Sequence, residues 1–113
     1  MGSFRTSDEH GGVLHKPLRV ARRREDLFAE ARDMVADLAG WKLVDSDERA
    51  LVLRCERKAG FLSPAARITI TVEGPDGIPS STLNIESTTQ GGLLSRDKAN
   101  VAEFLEPFTR RVC

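Results

Sequence analysis

From Arg24 to Ala39 the apolar residues Leu27, Phe28, Ala31, Met34, Val35 and Leu38 recur three or four positions apart, the stripe of an amphipathic helix. Gly40 follows where a left-handed C-terminal cap belongs, so the helix is predicted to stop there. The period then changes to two. Trp41 and Leu43 start a strand, Asp45-Ser46-Asp47-Glu48 is read as a turn, and Leu51, Leu53 and Cys55 face inward while Val52, Arg54 and Glu56 face out. Ala66, Ile68, Ile70 and Val72 alternate with Arg67, Thr69, Thr71 and Glu73 in a third strand. After the turn signal Gly74-Pro75-Asp76-Gly77, Leu83 and Ile85 alternate with Thr82, Asn84 and Glu86 in a fourth. Beyond Gln90-Gly91-Gly92, Ser95 is a suitable N-cap and Asp97 a favourable first-turn acid for a helix carrying Val101, Phe104, Leu105 and Phe108. Pro107 should end or kink that helix near Glu106.

One apolar stripe per helix and one apolar face on the sheet predict a two-layer α+β fold. Its order is helix, four-stranded antiparallel meander, helix, with both helices on one sheet face. Residues 1–12 contain little to bury and are expected to be a flexible lead-in, with residues 13–113 forming a single domain. Val13 to Val20 is compatible with an extended segment, which Pro17 would confine to a sheet edge.

Composition narrows function mainly by exclusion. Seventeen Lys and Arg balance 17 Asp and Glu among 113 residues, so no long-range field favours nucleic acid, and no nucleic-acid partner is expected. The basic run Arg22-Arg23-Arg24 meets Glu25-Asp26 at once, which suits a helix start better than a nucleic-acid arm. Cys55 and Cys113 make no disulfide framework, so a cytoplasmic setting is the default. No stretch has the apolar length of a transmembrane segment, and the N-terminus lacks the apolar core of a signal peptide. Met1-Gly2-Ser3-Phe4-Arg5-Thr6 fits the N-myristoylation pattern by letter, a pattern short enough to arise by chance.

Several residue pairs and clusters deserve weighing as chemistry. His10 and His15 have no Cys, Asp or Glu at a spacing that would complete a metal site, so no metal and no cofactor is expected. Cys55 alternates with Leu51 and Leu53 and reads as a small core hydrophobe rather than a nucleophile. Ser95 after Gly91-Gly92 resembles an anion cradle, but Asp97 would repel an anion, and capping is the simpler role. The outward sheet face, with Arg54, Arg67, Thr69, Thr71, Thr82 and Asn84, lacks an aromatic on which a base could stack and reads as a solvated face or a polar-ligand surface.

The order of elements resembles the domain-of-unknown-function family numbered 1499. The residues concerned are His15-Lys16-Pro17-Leu18, Trp41-Lys42-Leu43-Val44, Gly60-Phe61-Leu62, Asn84-Ile85-Glu86-Ser87 and Val101-Ala102-Glu103-Phe104-Leu105. The chain departs from that family at Ala65-Ala66, where members tend to carry paired acids, and around Gln90 to Asp97, where they carry an Arg-Val-Gly and a later Asp and Asn. The resemblance implies the fold and no biochemistry.

A meander also brings the start of its first strand, the loop after its second and the exit of its fourth to one end. Trp41, Phe61, Leu62, Leu93 and Leu94 should therefore approach one another, either as a plug for the core or as an exposed apolar site. The leading expectation is a non-enzymatic domain that binds an unknown protein or a small apolar ligand at this end. The alternative is an enzyme of unknown reaction using Arg67, Ser95, Arg96 and Asp97 around the glycine turn. A homo-oligomer formed through a sheet edge or the apolar end is a third option.

Overall fold

The protein is described by a computed structural model covering residues 2–59, 64–89 and 96–113. It is an α+β fold with two helices and an antiparallel sheet of six strands among those residues. The first helix, α1, spans Arg24–Asp37 and opens with Glu25 and Asp26, whose charges complement the helix dipole. Its last turn closes where the Leu38 N–H donates to the carbonyls of Met34 and Val35. Gly40 then adopts φ +83°, a left-handed conformation that lets the chain turn into the sheet.

Four strands follow the first helix: β3 (Trp41–Asp47), β4 (Val52–Arg57), β5 (Ala66–Glu73) and β6 (Ser81–Thr89). Each pairs antiparallel with the next. Alternation places Leu53, Cys55, Ile68, Ile70, Val72, Leu83 and Ile85 in one core cluster with Leu27, Ala31 and Val35 of α1. Val101, Phe104, Leu105 and Phe108 of α2 (Asp97–Val112) join the same cluster. Full burial of each large apolar side chain contributes about 1.5–3 kcal/mol before chain entropy is subtracted.

Three features depart from the sequence pattern. Residues 2–12 are not an unpaired lead-in. Gly2–Arg5 forms β1, paired with the Glu86–Thr89 half of β6, while β2 (Leu18–Val20) pairs with its Ser81–Leu83 half. The two short strands lie end to end on the outer edge of β6, so the sheet holds more than the expected four strands. Thr6 joins them by donating its N–H to the Ile85 carbonyl at 3.0 Å and accepting the Ile85 N–H on Oγ1 at 3.1 Å.

The first hairpin also turns later than expected. β3 runs on to Asp47, whose Oδ1 accepts the N–H groups of Arg49 and Ala50, and the turn closes at Leu51 with φ 59°. A bulge between Leu43 and Asp45 supplies the change of register. It turns Asp45 to the side that bears Arg54 and leaves Val44 exposed.

Pro107, finally, does not end α2, which continues to Val112. Phe108 and Val112 both lie on the buried stripe, and their burial offsets the hydrogen bond that Pro107 cannot donate.

Candidate functional site

Trp41 is the one member of the expected apolar end within the described residues; Phe61, Leu62, Leu93 and Leu94 lie outside them. Its indole is buried and packs against Phe104 with ring centroids 5.9 Å apart. The indole N–H donates to Glu103, which also receives a fork from Arg57, Nε to Oε1 at 2.8 Å and Nη2 to Oε2 at 3.1 Å. The Arg57 hydrogen bond holds the Glu103 carboxyl below its ordinary range; burial opposes this and the Trp41 hydrogen bond reinforces it. A buried indole needs an acceptor. Glu103 on the closing helix, which the sequence pattern did not single out, supplies it.

The polar alternative is divided between two sides of the sheet. Asp97 is buried at the start of α2, where its Oδ1 accepts the hydroxyls of Ser87 at 2.7 Å and Thr89 at 2.6 Å. Asn100 donates from Nδ2 to Ser87 Oγ at 3.2 Å, while nothing among the described residues donates to its Oδ1. These contacts fasten β6 to α2. Arg67 is exposed at the strand position opposite Thr88, on the other face, and Arg96 is exposed beside the helix start. Ser95 lies outside the described residues. Arg67 and Asp97 are thus not brought together.

Cys55 is buried, and burial pushes its thiol up to about 12. Such a group supplies almost no thiolate at neutral pH. His10 and His15 gather instead around Phe4 of β1. His10 stacks on its ring with centroids 4.7 Å apart, and His15 meets it edge-on at 5.3 Å. A ring nitrogen of His10 lies 2.9 Å from the Arg5 carbonyl oxygen. Among the described residues, no group of three or more His, Cys, Asp or Glu side chains is placed to hold a metal ion.

The polar side of the sheet is concave among the described residues. Three adjoining grooves run across it, from Val44 and Arg54 through Arg67 to Arg5 and Asn84, and Thr69 lines all three. The largest is about 510 Å³. Strand register orders the side chains in rows. Lys42, Glu56, Arg67 and Thr88 lie side by side, with Asp45, Arg54, Thr69, Glu86 and Arg5 in the next row. Arg54 and Asp45 pair at 3.0 Å, but Arg5, Lys42, Glu56, Arg67 and Glu86 make no ion pair among the described residues. The fixed backbone therefore presents both signs of charge to whatever meets this face.

No helix among the described residues is long and apolar enough to cross a membrane. No family model matches the chain. No curated protein matches it either. A solved structure is similar: the solution NMR structure of a protein from Thermobifida fusca, a target of the Northeast Structural Genomics Consortium, aligns over 96% of this chain and 83% of its own with a TM-score of 0.56. At 14% sequence identity the likeness shows the fold alone, and that fold is an α+β domain with an antiparallel sheet.

Proposed function

We propose that this chain is a non-enzymatic interaction domain whose working surface is the polar face of the sheet. In this reading both helices cover the apolar face in a two-layer arrangement, and the opposite face is left for a partner. The observation that carries it is the run of adjoining grooves sharing Thr69, set among charges most of which make no ion pair among the described residues. Strands hold side chains in fixed register, so such a face can be specific without loop ordering. The division of Arg67 from Asp97, and a Cys55 thiol raised to about 12, weigh against the enzymatic alternative.

NMR titration with a mixed set of polar and apolar fragments tests the site. Amide shifts clustered on Arg67, Thr69 and Thr88, and abolished in Thr69→Trp, are the expected result. Shifts confined to other surfaces would reject this face.

The apolar end is the second reading, favoured by the way Glu103 and Arg57 fix the Trp41 indole as a rigid floor. Phe61, Leu62, Leu93 and Leu94 would complete a small apolar-ligand or partner site there. In that case the same fragment titration would move the Trp41 indole N–H signal. Membership of the family numbered 1499 is likewise a proposal, resting on the residues quoted for the resemblance.

A further inference from the structure

The charges on the polar face are arranged so that the face complements itself. Within β4, Arg54 and Glu56 are two residues apart on the same side, and within β3 the bulge leaves Lys42 and Asp45 on that side as well. Each strand therefore places opposite signs in adjacent rows. A two-fold axis running across the strands, between these rows, would bring Glu56 of one copy over Arg54 of the other and Lys42 over Asp45. On the same axis Arg67 would meet Thr69, whose hydroxyl can accept from the guanidinium. Val44, raised by the bulge between the two rows, would meet its own counterpart.

Val44 is one of two large apolar side chains that stand exposed among the described residues, at 57%. A bulged valine exposed on the edge strand β3, beside the polar face, has no role in the core of a single copy. Placed on the axis it supplies the apolar contact that charge complementarity lacks. We infer that a second copy of this chain docks on the polar face through these two rows, with Val44 against Val44. The inference rests on the reading of this face as the working surface and names its partner.

Isologous contacts of this kind close at two copies. Sheets packed face to face keep their strands within about 30° of alignment, which the proposed axis allows. From ordinary strand spacing and rise, the shared patch covers roughly 300 Å² per copy. That is below the ~800 Å² per partner of a standard interface, so a weak and salt-sensitive dimer is expected.

Sedimentation velocity on the full chain, from about 10 μM to about 1 mM at low salt, is the test, because weak interfaces associate in this range. Reversible dimerisation is expected, weakened about tenfold or more by Val44→Lys and by either Arg54→Glu or Glu56→Arg alone. The double variant R54E/E56R restores complementarity and should recover the dimer, as should mixing the two single variants. All these positions are exposed, so unchanged circular dichroism is expected throughout. A monomer at every concentration overturns the second copy as partner and leaves the face to the fragment titration. Association that survives V44K and both reversals lies elsewhere and overturns the inference. If the Thr69 amide also fails to shift with concentration and with fragments, the reading of the face falls with it.

Discussion

Glu103 illustrates how much can depend on one side chain far from any chemistry. It accepts from the Trp41 indole and from two nitrogens of Arg57, and both donors are largely buried. Glu103→Ala should cost about 1–3 kcal/mol by urea denaturation, because it removes the carboxylate from a partly buried guanidinium and the acceptor from a buried indole N–H. Glu103→Gln keeps one acceptor oxygen and should cost about 1–2 kcal/mol. The Arg57 hydrogen bond holds the folded-state carboxyl below its unfolded value. As pH falls through the unfolded value of about 4.3, the unfolded chain therefore takes up the proton first. Stability from this group is complete above about pH 5 and is lost progressively below it. A stability profile from pH 7 to pH 3 should fall more steeply for the wild type than for Glu103→Gln, and parallel curves would show that the contact contributes little. The pairing could not be read locally, since Arg57 and Glu103 are 46 residues apart.

Elements differed in how well the sequence announced them. β4, β5 and β6 were legible because strict alternation assigns each residue to a face, and α1 because its apolar stripe is followed by Gly40. β1 was not, because Phe4 is its one apolar residue and its partner is the edge of β6 near the other end of the chain. The β3 bulge was invisible because a single inserted residue leaves no mark in a polar stretch such as Val44-Asp45-Ser46-Asp47. β1 is held in part by the rings around Phe4, which include both histidines. Partial burial, then Lys98 on α2 and His10 beside it, hold the His15 imidazole below its ordinary value of 6.5. A group whose folded pKa is depressed in this way stabilises the fold above the unfolded pKa and ceases to do so as pH falls past it. Hydrogen exchange at residues 2–6 should therefore lose protection between about pH 7 and pH 5 relative to β5, with the base-catalysed trend removed. His15→Gln should flatten that response, and equal losses in β1 and β5 would show that the ring cluster does not govern the strand.

At the scale of the molecule, the fold class was legible because it follows from periods and caps. The site was less so, because a site depends on which faces the chain leaves open. Alternation assigned Arg67 and Thr69 to the outer face, but not the grooves between strands, which need the register. Nor could it show that Asp97, five residues after Gly92, would be drawn inward by Ser87 and Thr89. Cys55 tests the whole arrangement, because it sits on β4 between β3 and β5 with its thiol in the core shared by both helices. Cys113, by contrast, is exposed at the last position. In iodoacetamide at about pH 8, native protein should gain one adduct promptly at Cys113. Cys55 should react slower by a factor of about 10³ or more, because both the raised thiol and the closed core must be overcome by global opening. In urea the two should label together, read as two adducts by intact mass. The Cys55 rate should also rise with urea in parallel with the unfolding constant, since its only route to solvent is through the unfolded state. Prompt labelling of Cys55 in the native protein would mean that the core beneath β4 opens locally. The polar face could not then be the rigid surface on which matched rows of charge depend.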